Sequence, residues 1–421
     1  MSHVTNFFND KTILLTGGTG FLGMCLVEKL LRTANISKIF ILVRGSTDRL
    51  TQIWRNHLPH HAEAMIRSGK VTPLVGDVAL PQLGLSVAQI DELSRTVQIV
   101  IHGAANISLK ASLATLFKDN VKASLDLAEL ATRSFVRLER YIHISTAYVN
   151  SHLADGSIIK EDFYWHTSSN AEEEYRQVSQ TGDSPYTKLF PFPYAYGKHL
   201  VERLLLLRYP NLPLLIMRPT CIGPAVQEPH PGFEIRGSSP ASGFVFGFLS
   251  SKKPVTYWPS TRNMDGHNII DEIPVDFVVN SIIVHAAYGT MGIAHSSTSC
   301  SAPLKLRDQL ECAWKTMPAA GRPQFVFTSD LKHSEFCRTA RLYFAFGNEW
   351  FYDDQKTREL MERMSPADGI AFNVDVRSFN RWSHNSKRAA VYWYELTKNE
   401  KMKQKKGIMP VQAGQLALAR L

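Results

Sequence analysis

The stretch Thr16-Gly17-Gly18-Thr19-Gly20-Phe21-Leu22-Gly23 follows an apolar run, Thr12–Thr16, and opens a segment with helical periodicity, Gly20–Arg32. A second apolar run, Lys38–Val43, comes next. Strand, glycine loop, helix and strand in this order predict a βαβ unit whose loop binds dinucleotide phosphates. Glycines permit a tight turn, and amide groups at the helix start bind anionic oxygens. We expect the cofactor contacts of this loop to come from Thr16, Gly17, Thr19, Gly20, Phe21, Leu22 and Gly23.

Alternation of strands and helices continues after this unit. Apolar runs separated by helix-like stretches predict an α/β fold with a Rossmann-type, doubly wound parallel sheet covered on both faces. The predicted strands are Val71–Val75, Val97–Ile101, Tyr141–Ile144 and Leu212–Met217, and the predicted helices include Leu113–Thr132 and Tyr196–Arg208. Residues 150–192 form a polar segment dotted with aromatic residues, which we interpret as a functional loop at the substrate mouth.

The ends of the next strands indicate which dinucleotide binds. Where NAD enzymes commonly carry an acid for the ribose 2′-hydroxyl, this chain has Arg44, with Arg49 close behind. A guanidinium suits a 2′-phosphate, so NADPH is favoured. Asp77 either accepts a hydrogen bond from the adenine amino group or only forms a turn. Val78 and Ala104 complete the predicted contacts, and His102 is either part of this site or a buried, hydrogen-bonded residue.

Catalytic residues are predicted from an ordered set of motifs. Tyr194 and Lys198 are spaced so that both lie on one helix face. A lysine ammonium is expected to lower the pKa of the tyrosine, which then passes a proton to a developing alkoxide. Thr146, or Ser145 if the register differs by one, is predicted to hydrogen-bond the same oxygen, and Lys198 also to hold the nicotinamide ribose. Tyr196 and Tyr148 are interpreted as packing residues.

Composition limits the class of protein. Forty-seven Lys and Arg against 38 Asp and Glu give a formal charge of +9, which favours phosphate-bearing ligands or an anionic membrane surface. No nucleic-acid-binding signature is present. Five cysteines without a CxxC pair predict neither disulfides nor a metal site, and no apolar run is long enough for a membrane span.

The ends of the chain bear on its location. The N-terminus lacks the pattern of a secretory signal. Ala419-Arg420-Leu421 is related to the tripeptide read by the peroxisomal import receptor. We therefore expect an intracellular protein of the peroxisome or the cytoplasm, and peripheral membrane association stays open.

Domain organisation follows from length and pattern. A chain of 421 residues exceeds what one hydrophobic core usually holds. The alternation stops near residue 320, and aromatic-rich, charge-rich helical sequence follows. We predict an NADP-binding reductase domain over residues 1–315, including the substrate loops, and a smaller, mainly helical domain over residues 316–421.

Read in order, these motifs resemble the fatty acyl-CoA reductase family. The chain carries GGTGFLG, a strand ending in Leu-Val-Arg, HGAA, STAYVN, YxxxK and RPT. Three further blocks also match that family, at 228–233 (EPHPGF), 271–280 (DEIPVDFVVN) and 372–382 (FNVDVRSFNRW). The chain departs from the family at Gly197 and Phe233, where a polar residue and Trp are common, and family members often run longer at the C-terminus. The resemblance covers nearly the whole chain and is strongest in the first 280 residues.

The resemblance implies NADPH-dependent reduction of a long-chain fatty acyl-CoA to an alcohol through an aldehyde, with release of CoA. Spacing alone indicates only carbonyl reduction. Arg218 and Lys252-Lys253 are candidate cations for CoA. The alternatives are an aldehyde-forming enzyme, a reductase of carrier-protein thioesters, a dehydrogenase or epimerase of a sugar, sterol or flavonoid, and a non-enzymatic NADP-binding scaffold.

Overall fold

The computed structural model describes residues 2–165, 170–262 and 265–405. Within these ranges seven parallel strands form the central sheet. Their spatial order is β11 (Gly292–Ser296), β7 (Leu214–Pro219), β5 (Arg140–Ile144), β4 (Ile99–His102), β1 (Thr12–Thr16), β2 (Lys38–Val43) and β3 (Val71–Val75). The strand order reverses between β1 and β4, and in open α/β sheets the crevice at such a reversal is where ligands bind. Helices cover both faces, so the predicted Rossmann-type architecture is confirmed.

The strands and helices have the following bounds. The strands are β1 (Thr12–Thr16), β2 (Lys38–Val43), β3 (Val71–Val75), β4 (Ile99–His102), β5 (Arg140–Ile144), β6 (Ile158–Ile159), β7 (Leu214–Pro219), β8 (Cys221–Gly223), β9 (Val255–Pro259), β10 (Glu272–Pro274), β11 (Gly292–Ser296), β12 (Gln324–Thr328) and β13 (Phe351–Tyr352). The helices of the first half are α1 (His3–Phe8), α2 (Phe21–Thr33), α3 (Asp48–His57), α4 (Pro59–Arg67), α5 (Val87–Thr96), α6 (Leu113–Leu116), α7 (Ala123–Ser134), α8 (Ala171–Thr181) and α9 (Pro193–Arg208). Those of the second half are α10 (Pro240–Leu249), α11 (Val275–Ala287), α12 (Leu306–Thr316), α13 (Arg338–Leu342), α14 (Gln355–Arg363), α15 (Pro366–Ala371) and α16 (Arg381–Lys405).

Two of the sequence-based elements differ in kind from those of the structure. The helix predicted over Leu113–Thr132 is interrupted, because Phe117–Lys122 forms a π-helical segment between α6 and α7. Residues 150–192 are not one long loop, since they contain β6 and the eleven-residue helix α8. In α8 the buried Glu174 pairs with Arg203 of α9, which ties this segment to the helix that carries Tyr194 and Lys198.

The C-terminal part of the chain packs closely on earlier elements. Strand β12 pairs with β9 and β13 pairs with β6, both in parallel. Helix α16 lies against α10 and α12, and Tyr392 packs with Phe244 and Trp258 in one apolar cluster. The domain boundary between residues 315 and 316 stays a prediction.

Other features predicted from composition have these outcomes. All five cysteines are free thiols. Among the described helices, none combines the length and the apolar character needed to cross a bilayer. The described residues contain no group of three or more His, Cys, Asp or Glu side chains placed to hold a metal ion. The tripeptide Ala419-Arg420-Leu421 lies outside the described residues.

Candidate active site

The glycine loop is built by close backbone contacts. Gly17 has a φ of +85°, and a Cβ there would lie 2.7 Å from the carbonyl carbon of Gly103. A Cβ at Gly23 would lie 2.2 Å from the carbonyl oxygen of Gly17. Only glycine therefore lets α2 start directly against β1 and the end of β4. At the crevice where the strand order reverses, these glycines bring the loop into close contact with α2 and the end of β4.

Thr16 and His102 hold the two sides of this crevice together. Thr16 Oγ1 lies 2.7 Å from His102 Nδ1 and accepts a hydrogen bond of 3.1 Å from the amide of Ala104. His102 Nε2 lies 3.0 Å from the hydroxyl of Ser124. Burial lowers the pKa of His102 to about 3, and Lys198 contributes to the shift. The interpretation of His102 as a buried, hydrogen-bonded residue is confirmed, and the Thr16 hydroxyl is occupied within the protein.

The start of α2 suits a dinucleotide phosphate. Its N-cap is Gly20, and no described side chain caps this end. Amide groups of a first helical turn that lack a side-chain partner bind phosphate oxygens well. Thr19 and Leu22 are half-buried at this turn, and Phe21 is buried against Phe233 with ring centroids 5.7 Å apart. The uncapped helix start and the glycine crevice together fit a bound dinucleotide.

The two arginines predicted for the 2′-phosphate lie just after β2. Arg44 follows β2 directly, and Arg49 lies in the first turn of α3. Both are exposed, and Arg49 Nη1 donates a hydrogen bond of 3.1 Å to the carbonyl oxygen of Arg44. This contact holds the Arg49 guanidinium against the backbone of Arg44, at the carboxyl end of the strand beside β1.

Asp77 and Val78 follow β3. The Asp77 carboxylate accepts a hydrogen bond of 3.0 Å from the amide of Ala79. This is the turn-forming role, one of the two alternatives for Asp77. Val78 is half-buried and packs on the neighbouring apolar cluster. The adenine contact of Asp77 stays a prediction.

Tyr194 and Lys198 lie on α9, and their environments differ. Lys198 is 2% exposed, and its ammonium donates a hydrogen bond of 2.8 Å to the carbonyl oxygen of Ile144, the last residue of β5. Burial lowers the pKa of Lys198 to about 8, against the opposing charge of Glu202. Tyr194 is half-buried, and burial raises the pKa of its hydroxyl. The expectation that Lys198 lowers the pKa of Tyr194 is therefore wrong, and the tyrosine keeps its proton at neutral pH.

Ser145 and Thr146 lie side by side after β5 but have different partners. The Ser145 hydroxyl donates a hydrogen bond of 2.5 Å to Glu202 Oε1. Arg218 Nη2 lies 2.5 Å from Glu202 Oε2, and Glu202 and Arg218 are both fully buried. The Thr146 hydroxyl accepts a hydrogen bond of 3.3 Å from the amide of Tyr148, so its proton remains available to another acceptor. Between the two candidates, the geometry favours Thr146 as the donor to a substrate oxygen.

Tyr196 and Tyr148 are packing residues, as interpreted from the sequence. The Tyr196 hydroxyl lies 2.9 Å from Glu174 Oε2 and 2.9 Å from Ser184 Oγ, inside the protein. Tyr148 packs edge-to-face on Tyr352, with ring centroids 6.1 Å apart. The contacts of Tyr196 fix α9, and the contact of Tyr148 fixes the turn after β5.

The candidate cations for CoA have other partners. Arg218 is fully buried against Glu202, so the hypothesis that it binds CoA is wrong. Lys253 lies 2.9 Å from Glu335 at the surface. Glu202 is a site residue that was not predicted, although it lies four residues after Lys198, on the same helix face. That spacing was the signal that could have identified it.

Comparison with solved structures defines the class of the fold. The reductase domain that terminates the myxalamid PKS-NRPS pathway superimposes with a TM-score of 0.67 at 19% identity, covering 92% of this chain and 91% of that one. A UDP-glucose 4-epimerase superimposes with a TM-score of 0.58 at 15% identity, covering 92% and 99%. Fold and glycine loop together define an extended short-chain dehydrogenase/reductase with a nicotinamide cofactor.

Sequence comparison gives the family. Residues 15–282 match the family described as male sterility protein. The chain belongs to the fatty acyl-CoA reductase family. Fatty acyl-CoA reductase 2 of Mus musculus is 28% identical over 90% of this chain and 83% of its own length. Fatty acyl-CoA reductase 1 of Xenopus laevis is 26% identical over 100% and 89%. Two Drosophila melanogaster relatives, 30% and 31% identical, are matched over only 53% and 56% of their length.

Proposed function

We propose that the protein reduces a long-chain fatty acyl-CoA with NADPH, through an aldehyde, to a fatty alcohol and free CoA. The observation that carries the proposal is the geometry at the end of β5, where Lys198 is fixed on Ile144, Ser145 is held by Glu202 and the Thr146 proton stays available. Two relatives that match most of their own length are named fatty acyl-CoA reductases. The reaction class follows from the residues, and the substrate class from the relatives.

The dinucleotide would be held by the loop from Thr16 to Gly23, with Arg44 and Arg49 on the 2′-phosphate. When bound, the reduced nicotinamide supplies the hydride for both reductions. Two exposed arginines after β2 support NADPH over NADH, because a phosphate dianion gains more from two cations than a hydroxyl does.

The side chains of the catalytic set have different tasks. Thr146 donates a hydrogen bond to the substrate oxygen as negative charge develops on it. Tyr194, protonated because burial raises its pKa, transfers its proton to that oxygen. The ammonium of Lys198, fixed on the carbonyl oxygen of Ile144, holds the nicotinamide ribose. Glu202 keeps Ser145 and Arg218 in place and opposes the loss of charge at Lys198.

The thioester requires one step more than an aldehyde does. The first reduction gives a hemithioacetal, whose oxygen has taken a proton from Tyr194. The hemithioacetal hydroxyl returns that proton to Tyr194 as its carbonyl re-forms and the carbon–sulfur bond breaks, and CoA leaves as a thiolate that takes a proton from water. The resulting aldehyde then accepts a second hydride on carbon and a second proton, from Tyr194, on oxygen. The same side chains serve both reductions, since the oxygen that gains charge is the same atom.

The proposal is tested by turnover with a panel of acyl-CoAs of increasing length, with NADPH oxidation, CoA release and the lipid product measured together. We expect about two NADPH oxidised per CoA released, with a fatty alcohol as the product. A ratio near one with an aldehyde product would make the enzyme aldehyde-forming. Tight NADPH binding without turnover of any acyl-CoA would overturn the proposal and favour carrier-bound thioesters, sugars or sterols.

A further inference from the structure

A cationic cleft lies beside the candidate active site. Lys110, Arg338, Arg341 and Leu342 line an open cleft of about 510 Å³. The three cationic residues are exposed. A cleft of this volume is the size of ordinary small-molecule sites, and three exposed cationic side chains along its walls favour a phosphate-rich ligand.

The two walls of the cleft are held by different parts of the fold. Lys110 belongs to the loop after β4, which is fixed where the amide of Asn106 donates a hydrogen bond of 2.7 Å to Asn120 Oδ1. Arg338 and Arg341 are one turn apart on α13, and Arg341 Nη2 donates to the carbonyl oxygen of Ser334 at 3.0 Å. The nearby carboxylate of Glu335 pairs with Lys253, outside the cleft.

The cleft adjoins the catalytic helix. Phe344, two residues after Leu342, contacts Phe192 with ring centroids 5.3 Å apart. Phe192 is the N-cap of α9, the helix that carries Tyr194. On the other wall, the loop that carries Lys110 begins at Gly103, which contacts the glycine loop. A ligand in the cleft is therefore next to the mouth of the site and outside the crevice where the dinucleotide fits.

We infer that this cleft binds the phosphorylated nucleotide of the CoA thioester, an inference that rests on the proposed function. CoA carries a 3′-phosphate and a pyrophosphate, separated from the thioester by a long pantetheine arm. A cationic site at the mouth, away from the reacting carbonyl, is what such a molecule requires. Lys110, Arg338 and Arg341 bind the phosphates, and the apolar surface of Leu342 lies under the adenosine.

The test compares two thioesters with the same acyl chain, an acyl-CoA and the S-acyl pantetheine that lacks the nucleotide. We expect Lys110→Ala, Arg338→Ala and Arg341→Ala each to raise the KM for acyl-CoA about tenfold, the usual loss of a hydrogen bond to a charged group. The KM for acyl pantetheine and for NADPH should not change. Arg133→Ala is the matched control, because Arg133 is an exposed arginine at the distal end of α7, just before β5 begins.

Binding is measured separately, by calorimetry with CoA and by inhibition with adenosine 3′,5′-bisphosphate. We expect inhibition that is competitive with acyl-CoA and lost in Arg338→Ala/Arg341→Ala, together with weaker CoA binding by that variant. Inhibition competitive with NADPH alone, equal losses for both thioesters, or unchanged CoA binding would overturn the assignment. Since calorimetry needs no turnover, cleft-dependent CoA binding without catalysis would sink the proposed function and leave the cleft as a CoA site.

Discussion

The hydroxyl of Ser145 donates its proton to the buried carboxylate of Glu202, at 2.5 Å, while its neighbour Thr146 keeps its own proton available. Glu202 in turn lies against Arg218, so Ser145 is part of a buried ion-pair network. Two adjacent hydroxyl residues in one motif therefore have different partners, and we propose a positioning role for Ser145 and a contact with the substrate for Thr146.

Replacing these two hydroxyl residues separates the roles. Thr146→Ala should lower kcat about 10²-fold, the usual loss of one donor to a developing oxyanion, without changing the free energy of unfolding much. Ser145→Ala should leave kcat within a few-fold of wild type and cost about 1–3 kcal/mol of stability, because a buried carboxylate loses a donor. Steady-state kinetics and urea unfolding of both variants measure this. A larger kcat loss in Ser145→Ala than in Thr146→Ala would reverse the assignment.

A second pair of variants separates the roles of the two tyrosines in the YxxxK segment, Tyr194 and Tyr196. Tyr194→Phe should lower kcat by about 10²–10⁴-fold, because the proton donor is lost, while NADPH still binds. Tyr196→Phe is the matched control on the same helix, since its hydroxyl contacts Glu174 and Ser184 and not the crevice. That variant should unfold at lower urea concentration and turn over normally. NADPH oxidation and cofactor titration by fluorescence distinguish the two, and an active Tyr194→Phe enzyme would exclude this tyrosine as the acid.

The pH dependence of the reaction should report Lys198. Burial lowers its pKa to about 8, so the ammonium is present below that pH and is lost as the pH rises through it. We expect kcat/KM to fall above about pH 8, while Tyr194, whose pKa burial raises, stays protonated. Because unfolded lysine holds its proton up to about 10.5, stability should rise with pH between these two values.

The variant Lys198→Arg provides the control for that profile. A guanidinium keeps its charge throughout the measured range. Whatever activity remains should therefore lose the alkaline decline. An unchanged decline in this variant would assign the titration to another group.

Cofactor binding should depend on the missing Cβ of Gly23. In Gly23→Ala the new Cβ would lie 2.2 Å from the carbonyl oxygen of Gly17, so the glycine loop must shift and NADPH binding should be lost. Gly369→Ala is the control, because no atom lies within 4 Å of a Cβ added there. Titration of NADPH fluorescence compares the two. Normal NADPH affinity in Gly23→Ala would place the cofactor elsewhere.

Arg44 and Arg49 should decide between the two nicotinamide dinucleotides. We expect Arg44→Ala and Arg49→Ala to raise the KM for NADPH about tenfold or more each, because each removes a charge-assisted contact to the 2′-phosphate. The KM for NADH should hardly change, since NADH lacks that phosphate. Equal effects on both dinucleotides would contradict the role in phosphate recognition.

Much of the fold and part of the site could be predicted from local pattern. The bounds of β1, β2 and β3 agree with their apolar runs, and the glycine loop lies between β1 and α2 as expected. Strand β11 was not predicted, because Gly292–Ser296 has no long apolar run and becomes a strand by pairing with the edge of β7. The pairing partner of such a strand lies far away in sequence, so no local pattern indicates it.

What the amino-acid sequence determined was the order of elements, the glycine loop and the helical spacing of Tyr194 and Lys198, since these depend on residues near one another in the chain. Only the tertiary structure decided that Arg218 is buried against Glu202 and that the Ser145 hydroxyl donates a hydrogen bond to the same carboxylate. It also decided that burial raises the pKa of Tyr194. It also brought Lys110 to the same cleft as Arg338 and Arg341. Burial, ion pairing and desolvation depend on contacts between segments that are distant in sequence, and the local sequence does not specify those contacts.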